Sequence, residues 1–264
     1  MEDLTLSKQE QKQYSRHIML EGIGLDGQLK LKKAKVLVVG AGGLGTPVLQ
    51  YLVAAGVGTI GISDNDLVDI SNIARQVLFF KSEIGLQKTI IASKKLEKQN
   101  PNVKINIHNI FLKDERVLNI IDDYDIIVDA TDNIQARYLL NDACIIKNKV
   151  LVHASVYKYQ GMVSVFNYKN GPSYRCLFPF PPRSEQLLNS GNTGILGALV
   201  GIIGSIQAAE VIKIITGIGE VVSGKVLIYD LLKHENYKIA FNKLDKNFEI
   251  EELIDYEEYC KPSI

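Results

Sequence analysis

The stretch VLVVGAGGLGTPVLQYLVAAGVGTIGISDND, residues 36–66, decides the fold. It contains a valine-rich apolar run, a glycine-rich turn, a helical segment that Gly56 and Gly58 end, and a second apolar run followed by acidic and amide residues. This order predicts a strand, a helix and a second strand around a turn that can approach a phosphate group. The stretch alone leaves two ligands open, a dinucleotide held for hydride transfer and ATP held for cleavage at its α-phosphate.

Helical and strand-like segments alternate through the first half of the chain. Helical spacing covers residues 86–98 and about 135–147, and strand patterns cover residues 103–107 and 125–129. Together with the opening stretch, this gives the order β-α-β-α-β-α-β. Such an order is typical of a parallel, doubly wound sheet.

The pattern changes at Val150, where apolar segments become separated mostly by turns, as in antiparallel strands. Among them, residues 177–194 form a stretch rich in proline, serine and glycine, and irregular runs of this length are usually functional or mobile. We predict a Rossmann-like α/β fold in a single domain, whose parallel N-terminal half continues into antiparallel C-terminal strands. The antiparallel segments are residues 150–156, 161–168, 225–230 and 236–241.

The composition is that of a soluble globular protein. Of the 264 residues, 46% are hydrophobic, and 30 basic side chains balance 30 acidic ones, which gives no support for nucleic-acid or anionic-membrane binding. Three scattered cysteines and an N-terminus without a signal-peptide pattern favour the cytoplasm. The apolar residues 195–217 include Gln207, Glu210 and Lys213, so a helix in the core or in a dimer interface is predicted rather than a membrane span.

Gly40, Gly42 and Gly45 match the pattern G-x-G-x-x-G between a strand and a helix. The glycines permit a tight turn close to a phosphate, and the helix N-terminus adds free N–H groups and a partial positive charge. Asp64 ends the second predicted strand, where a carboxylate can bind ribose hydroxyls. Most loops of this kind bind NAD or FAD, so the pattern alone favours a dinucleotide.

Four further polar residues favour a triphosphate. Asn72 and Arg75 are three residues apart, Lys88 lies at the start of the next helix, and Asp132 follows the fourth strand. Loops after the second and fourth strands of a doubly wound sheet meet the glycine loop in one crevice. A triphosphate requires cations and a carboxylate for Mg²⁺, which hydride transfer does not need. The alternatives are surface charges at Arg75 and Lys88, a turn at Asn72 and a helix cap at Asp132.

These residues resemble the ThiF/MoeB/HesA family, bacterial relatives of the ubiquitin-activating enzymes. The matching segments are GAGGLG, DNDLVDISNIARQ, GLQK and DATDN, with YSRHIML before them and YRCLFP and GIIGSIQAAEVIKIITG after them. They cover roughly residues 14–229 in the family's order, and the combination is very specific. The resemblance implies one adenylation domain over residues 1–264. Its parts are an N-terminal helical arm (1–30), a nucleotide-binding half (31–149) and a carrier-binding and dimer half (150–264) with a crossover loop at about 177–194.

The resemblance implies an ATP-dependent adenylyltransferase that acts on a ubiquitin-like sulfur-carrier protein ending in Gly-Gly, in thiamine or molybdopterin biosynthesis. The C-terminal carboxylate of the carrier attacks the α-phosphate, and pyrophosphate leaves. The implied binding residues are Gly40, Gly42 and Gly45 for the nucleotide, Asp64 for the ribose, Asn72, Arg75 and Lys88 for the phosphates, and Asp132 for Mg²⁺. Asp132 is the first choice for an essential residue.

Arg16 lies in a helix that we predict over residues 7–20, because Ser7 and Glu10 form a capping-box pattern. It matches the family arginine that reaches the γ-phosphate bound by the neighbouring subunit. The resemblance therefore implies a homodimer in which Arg16 acts in trans. Without the resemblance, Arg16 is a surface helix residue.

The chain departs from the family at two places. Many members carry two C-x-x-C pairs that bind zinc, but here the pairs read Ser173 with Cys176 and Cys260 with Ser263. A hydroxyl is a poor zinc ligand, so we expect a degenerate site without zinc. Ser190 takes the position of a crossover-loop cysteine that can link to the carrier, and serine lacks an accessible anion near pH 7. The reaction is then expected to stop at the acyl-adenylate, which a separate sulfurtransferase or cysteine desulfurase would use.

Three alternatives remain open. One is adenylation of another peptide terminus for a specialised metabolite, with the same ATP site. Another is an NAD-dependent oxidoreductase, which would need neither Lys88 nor Asp132. The third is a non-catalytic scaffold, which the missing thiols favour and the intact charged residues oppose.

Overall fold

The structure is a computed structural model that describes residues 5–110, 112–182 and 194–261. Its strands are β1 Lys35–Val39, β2 Thr59–Ser63, β3 Lys104–His108, β4 Ile126–Asp129, β5 Val150–Tyr157, β6 Gln160–Phe166, β7 Lys225–Asp230 and β8 Glu235–Ala240. Within the described residues these strands form one sheet in the order β3-β2-β1-β4-β5-β6-β7-β8. The pairs from β3 to β5 are parallel, and those from β5 to β8 are antiparallel. The predicted α/β fold with a mixed sheet is confirmed.

Helices pack on both faces of the sheet. They are α1 Lys8–Gln13, α2 Ser15–Ile18, α3 Gly24–Lys33, α4 Gly45–Ala54, α5 Lys88–Gln99, α6 Arg116–Asp122, α7 Ile134–Ile146, α8 Tyr174–Leu177, α9 Gly197–Thr216 and α10 Tyr256–Tyr259. Short 3₁₀ turns occur at Ile70–Asn72, Lys81–Glu83 and Asp245–Phe248. Strands β3 and β4 lie within one residue of the predicted segments 103–107 and 125–129.

The apolar run of β1 reflects burial on both sides of the sheet. Val36 and Val38 belong to the core cluster that includes residues of α4, α5 and α9, whereas Leu37 and Val39 belong to the cluster on the other face with α6 and α7. Because successive side chains of a strand point to opposite faces, a central strand covered by helices on both sides requires apolar residues throughout. Each such side chain contributes roughly 1.5–3 kcal/mol by its burial.

The N-terminal arm differs from its prediction. The capping box is present, with the Ser7 N–H donating to Glu10 and the Glu10 N–H donating to the Ser7 hydroxyl. However, the helix ends at Gln13, because Tyr14 turns into the core and accepts a hydrogen bond from Asn100 at 2.8 Å. The prediction of one helix over residues 7–20 was wrong, and α3, which follows, was not predicted.

Helix α9 contains the apolar segment that raised the question of a membrane span, and by length and composition it could cross one. In the structure it packs against β5 and β6 and buries polar side chains with partners. Gln207 donates to the carbonyl oxygens of Asp129 and Val152, and Glu210 accepts from the Val222 N–H. These contacts are those of a core helix, as predicted from its charged residues.

The strand order reverses next to β1, which has β2 on one side and β4 on the other. In open α/β sheets the loops at the carboxyl ends of the strands separate at such a point and leave a crevice. The loops after β1, β2 and β4 are those that carry the predicted site residues.

Candidate functional site

A cavity of about 440 Å³ opens at the carboxyl ends of β1, β2 and β4. Its walls come from the glycine loop, from the segment that follows β2, from the start of α5 and from the turn between β4 and α7. A further, apolar part of the wall comes from residues 194 and 195 and from the first turn of α9. The predicted residues that line this cavity are Gly40, Gly42, Asp64, Asn72, Arg75, Lys88 and Asp132.

The three glycines of the loop serve different steric needs. Gly40 has φ +97°, and a Cβ atom there would lie 2.6 Å from the Ala130 carbonyl oxygen. A Cβ atom on Gly45 would lie 1.8 Å from the Gly40 carbonyl oxygen, so this glycine allows the first turn of α4 to close on the loop. On Gly42 the nearest atom would be Gln76 Nε2 at 3.8 Å, so its missing side chain leaves cavity space for a ligand.

Asp64 connects the end of β2 to the glycine loop by a hydrogen bond. Its two carboxylate oxygens accept hydrogen bonds from the N–H groups of Ala41 at 2.7 Å and Asp66 at 2.8 Å. Burial raises the pKa of Asp64 above its usual value, while the nearby charge of Lys88 opposes this rise. Each oxygen keeps a second lone pair, which suits it to accept hydrogen bonds from ligand hydroxyls.

Lys88 is the most buried cation of the cavity wall. Only 5% of its side chain is exposed, and its Nζ atom lies 2.7 Å from Oδ2 of Asp66, whose side chain is 64% exposed. A buried ammonium group is costly unless it is paired, and Asp66 offsets this cost. This geometry argues against the alternative that Lys88 is a solvated surface charge.

The segment after β2 positions Asn72 and Arg75 through a 3₁₀ turn. Asn72 is buried and accepts a hydrogen bond from the Asp69 N–H through its side-chain oxygen, which closes the turn. Arg75 is half-buried and donates from Nη1 to the Ser71 carbonyl oxygen at 2.8 Å. A neutral carbonyl leaves the guanidinium charge available to an anion in the cavity.

Asp132 lies on the cavity wall with an exposed side chain. The cap of α7 is its neighbour Asn133, whose side-chain oxygen accepts the Ala136 N–H at 2.8 Å. The alternative that Asp132 caps the helix is therefore not supported. The preceding turn is held by Asp129, which accepts hydrogen bonds from the Thr131 N–H at 3.0 Å and the Thr131 hydroxyl at 2.6 Å.

Asp129 and His153 form a buried pair beneath this turn, with 2.7 Å between Asp129 Oδ2 and His153 Nδ1. Burial disfavours charge on Asp129, but hydrogen bonds from His153 and Thr131 keep its pKa below the usual value. Burial lowers the pKa of His153, which the Asp129 carboxylate opposes and the charge of Arg137 reinforces. Since His153 Nε2 is buried without a partner among the described residues, a neutral imidazole that donates from Nδ1 fits best.

Replacing His153 by asparagine is expected to reduce the loss of stability on acidification below about pH 6.5. A histidine with a lowered pKa in the folded state contributes stability that is fully present above its unfolded pKa and is lost as the pH falls towards the folded pKa. Each unit of lowering corresponds to about 1.4 kcal/mol. Thermal unfolding between about pH 5 and pH 8 measures the slope, and the exposed His234→Asn variant is the matched control. Equal slopes in the wild type and His153→Asn would contradict the expectation.

Two other predicted residues, Arg16 and Gly45, are not among the residues that line the cavity. Arg16 lies in α2 with an exposed side chain and is not among the residues that line the cavity of its own chain. Its role therefore stays a prediction. Gly45 lies behind the loop that it helps to close. Ser190 and Ser263 lie outside the described residues.

The surroundings of Cys176 differ from those that the degenerate zinc motif suggested. Its sulfur lies 3.3 Å from the Ser173 hydroxyl and accepts hydrogen bonds from the Leu244 N–H and the Asn247 side chain. Cys260 is buried in the core cluster that contains α7 and α10. The segment opposite Ser173 and Cys176 is therefore 244–247, which the sequence prediction did not include. Across the described ranges, no three His, Cys, Asp or Glu side chains gather as a metal site, and the absence of zinc stays a prediction.

Two charged residues of the described cavity lining, Asp66 and Arg137, were not predicted from the sequence. Asp66 pairs with Lys88, and Arg137, one turn into α7, contributes a further cation to the cavity. Asp66 lies beside Asp64 in the motif, but nothing local shows which carboxylate faces the lysine. Arg137 lies five residues after Asp132, on a helix whose orientation only the packing reveals.

A doubly wound α/β sheet with a glycine loop at its switch point defines this chain as a Rossmann-like protein with a ligand crevice. The sequence model of the ThiF family matches residues 14–249, so the chain belongs to this family.

Named relatives share most of this chain. A protein of Culex quinquefasciatus named adenylyltransferase and sulfurtransferase MOCS3 is 47% identical over 262 residues, which cover 97% of this chain and 60% of the relative. A sulfur carrier protein adenylyltransferase of Thermus thermophilus is 41% identical, with 96% of this chain and 98% of the relative covered. The chain thus spans about three-fifths of the MOCS3 relatives that it matches.

Solved structures support the fold. The crystal structure of E. coli MccB with MccA-N7isoASN superposes with a TM-score of 0.79 and covers 92% of this chain and 74% of MccB. The sequence identity is 22%, so this similarity concerns the fold alone.

Proposed function

We propose that this chain is an ATP-dependent adenylyltransferase that activates the C-terminal glycine carboxylate of a ubiquitin-like sulfur-carrier protein. The observation that carries the proposal is one cavity that combines a glycine loop with Lys88, Arg75 and Asp132. The names of the MOCS3 and Thermus thermophilus relatives support the same activity and the same kind of partner.

The cavity suits ATP as substrate on steric and electrostatic grounds. The open space at Gly42 lets a phosphate approach the backbone at the start of α4, where a helix dipole favours negative charge. Asp64 offers acceptors for ribose hydroxyls, and Lys88, Arg75 and Asn72 offer donors for the phosphates. A triphosphate requires cations and a carboxylate for Mg²⁺, whereas hydride transfer requires neither Lys88 nor Asp132.

The reaction requires positioning and charge neutralisation rather than a base. A carboxylate oxygen of the carrier forms a bond to the α-phosphorus, the bond from this phosphorus to the bridging oxygen breaks, and the electron pair leaves with pyrophosphate. The carboxylate is already ionised at neutral pH, so no proton has to be removed. In agreement, the residues that line the described cavity include no histidine or cysteine. Lys88 and Arg75 stabilise the charge that develops on the leaving group.

Asp132 fits the part of a Mg²⁺ ligand, because its carboxylate is exposed on the cavity wall and hard cations prefer carboxylate and phosphate oxygens. When bound there with the phosphates, Mg²⁺ supplies neutralisation of phosphate charge.

The proposal includes a homodimer in which Arg16 contacts the γ-phosphate of ATP bound in the cavity of the neighbouring subunit. Its support is the exposed position of Arg16 and the partly exposed apolar side of α9, which includes Ile202 and Ile206. A separate sulfurtransferase or cysteine desulfurase would take up the acyl-adenylate, in thiamine or molybdopterin biosynthesis. The proposed location is the cytoplasm, which the low number and scattered positions of the cysteines favour.

The test is carrier-dependent exchange of labelled pyrophosphate into ATP. With Mg²⁺ and a carrier that ends in Gly-Gly, we expect label in ATP, and with the same carrier lacking its last glycine we expect none. The absence of exchange with every carrier would contradict the proposal. An increase in nicotinamide fluorescence on titration with NADH would instead favour an oxidoreductase.

A further inference from the structure

Arg137 is a cation of the cavity with unused hydrogen-bonding capacity. It lines the cavity, and its Nε atom is buried with no partner among the described residues. Its Nη2 atom is 3.5 Å from the Thr131 carbonyl oxygen, a weak contact at best. A buried N–H group without a partner is destabilising, so this edge of the guanidinium suits an acceptor that arrives with a ligand.

The neighbours of Arg137 do not use this edge. The Asp129 carboxylate, whose pKa the charge of Arg137 helps to lower, already accepts hydrogen bonds from Thr131 and His153. Tyr174 also interacts with the guanidinium, which lowers the pKa of the phenol although burial raises it to about 12. The Nε–H group is therefore left for a partner that is not part of the described chain.

Arg137 lies on the other side of the glycine loop from the two cations that are predicted to contact the phosphates, Lys88 and Arg75. Lys88 and Arg75 belong to segments that follow β2, whereas Arg137 belongs to the helix that follows β4. The sheet order sets β1, which leads into the glycine loop, between β2 and β4. The cavity thus receives cations from two opposite sides.

Phosphoryl and nucleotidyl displacements place the attacking and leaving oxygens roughly in line through phosphorus. If Lys88 and Arg75 hold the end that leaves as pyrophosphate, the attacking carboxylate approaches from the side of β4. An arginine binds a carboxylate in a bidentate manner through a pair of N–H groups, for which the Nε edge is well suited.

We propose that Arg137 binds the terminal carboxylate of the peptide substrate and holds it on the side of the cavity opposite to the leaving pyrophosphate. The identity of the anion as the attacking carboxylate rests on the proposed adenylation. The binding itself does not require turnover, which makes the two claims separable.

The first measurement follows binding without turnover. In the presence of a non-hydrolysable α,β-methylene analogue of ATP, calorimetry compares a short synthetic peptide that ends in a free Gly-Gly carboxylate with the same peptide amidated. The wild type is expected to bind the free acid at least about tenfold more tightly, in line with a charge-assisted hydrogen bond. Arg137→Gln should lose this preference, and Arg137→Lys should keep part of it.

The second measurement is pyrophosphate exchange with the carrier. Arg137→Gln is expected to raise the KM for the carrier and to lower kcat/KM about 10–100-fold, while the affinity for the ATP analogue stays within about threefold of the wild type. Retained nucleotide affinity also shows that the variant is folded. Arg116→Gln, which changes an exposed arginine paired with Asp114, is the matched control and should leave both values unchanged.

The outcomes are distinct. A wild type that binds the acid and the amide equally overturns the proposal, as does an Arg137→Gln variant that loses nucleotide affinity while its KM for the carrier is unchanged. A wild type that prefers the free acid through Arg137 but shows no exchange with any carrier supports this inference and contradicts the proposed adenylation.

Discussion

Replacing Asp132 by alanine is expected to lower carrier-dependent pyrophosphate exchange by about 10²–10³-fold or more. The carboxylate lies on the cavity wall after β4, where it can share a cation with the phosphates, and Asn133 rather than Asp132 caps α7. The change therefore removes charge from the site without removing a helix cap. Exchange rates at saturating ATP, together with thermal unfolding, separate the loss of chemistry from a loss of folding.

Asp132→Asn is the matched variant, because it keeps the size of the side chain and removes the charge. It should be nearly as inactive as Asp132→Ala, with a melting temperature close to that of the wild type. Mixing Asp132→Ala with Arg16→Ala subunits should restore about a quarter of wild-type exchange if Arg16 acts in trans, because half of the dimers then contain one complete site. An active Asp132→Ala enzyme would contradict the assigned role and favour a scaffold.

Gly45→Ala is expected to destabilise the protein by about 3 kcal/mol or more, with a fall in Tm of roughly 10 °C. A Cβ atom at this position would lie 1.8 Å from the Gly40 carbonyl oxygen, and backbone atoms cannot move aside as a flexible side chain can. Strain of this kind has to be relieved by opening the turn between β1 and α4. Thermal and denaturant unfolding of the purified variant measure the effect.

Gly42→Ala is the matched control in the same loop, and the two variants should differ in kind. No atom lies closer than 3.8 Å to a Cβ atom on Gly42, so its stability should change by less than about 1 kcal/mol. The new methyl group instead occupies cavity space. Overpacking costs about 1–3 kcal/mol, so the Kd of an ATP analogue should rise roughly tenfold or more. The reverse result, an unstable Gly42→Ala and a stable Gly45→Ala, would contradict the geometry of the loop.

Local sequence patterns predicted those parts of the fold that depend on neighbouring residues. The strand, turn and helix of residues 36–54 follow from apolar periodicity and from glycines whose steric need lies within the loop itself. The helix start at Ser7 and Glu10 was found for the same reason. The end of that helix was missed, because Tyr14 leaves it to reach Asn100, a partner 86 residues away.

In the candidate site, too, some features follow from the sequence and others depend on contacts between distant segments. Residues at the carboxyl ends of parallel strands converge by topology, so Asp64, Lys88 and Asp132 could be assigned to one crevice before any coordinates existed. The pairings in and beneath the crevice could not, since Lys88 with Asp66 and His153 with Asp129 depend on which rotamers the packing allows.

The order of apolar runs and glycines in this chain is sufficient to specify a doubly wound sheet and the edge at which a ligand binds, because both depend on short-range periodicity and on the handedness of strand crossovers. Folding in three dimensions adds the burial of Lys88, the lowered pKa of His153 and, among the described residues, the unpartnered Nε atom of Arg137. These properties depend on desolvation, and desolvation arises only when segments distant in sequence close over a charge.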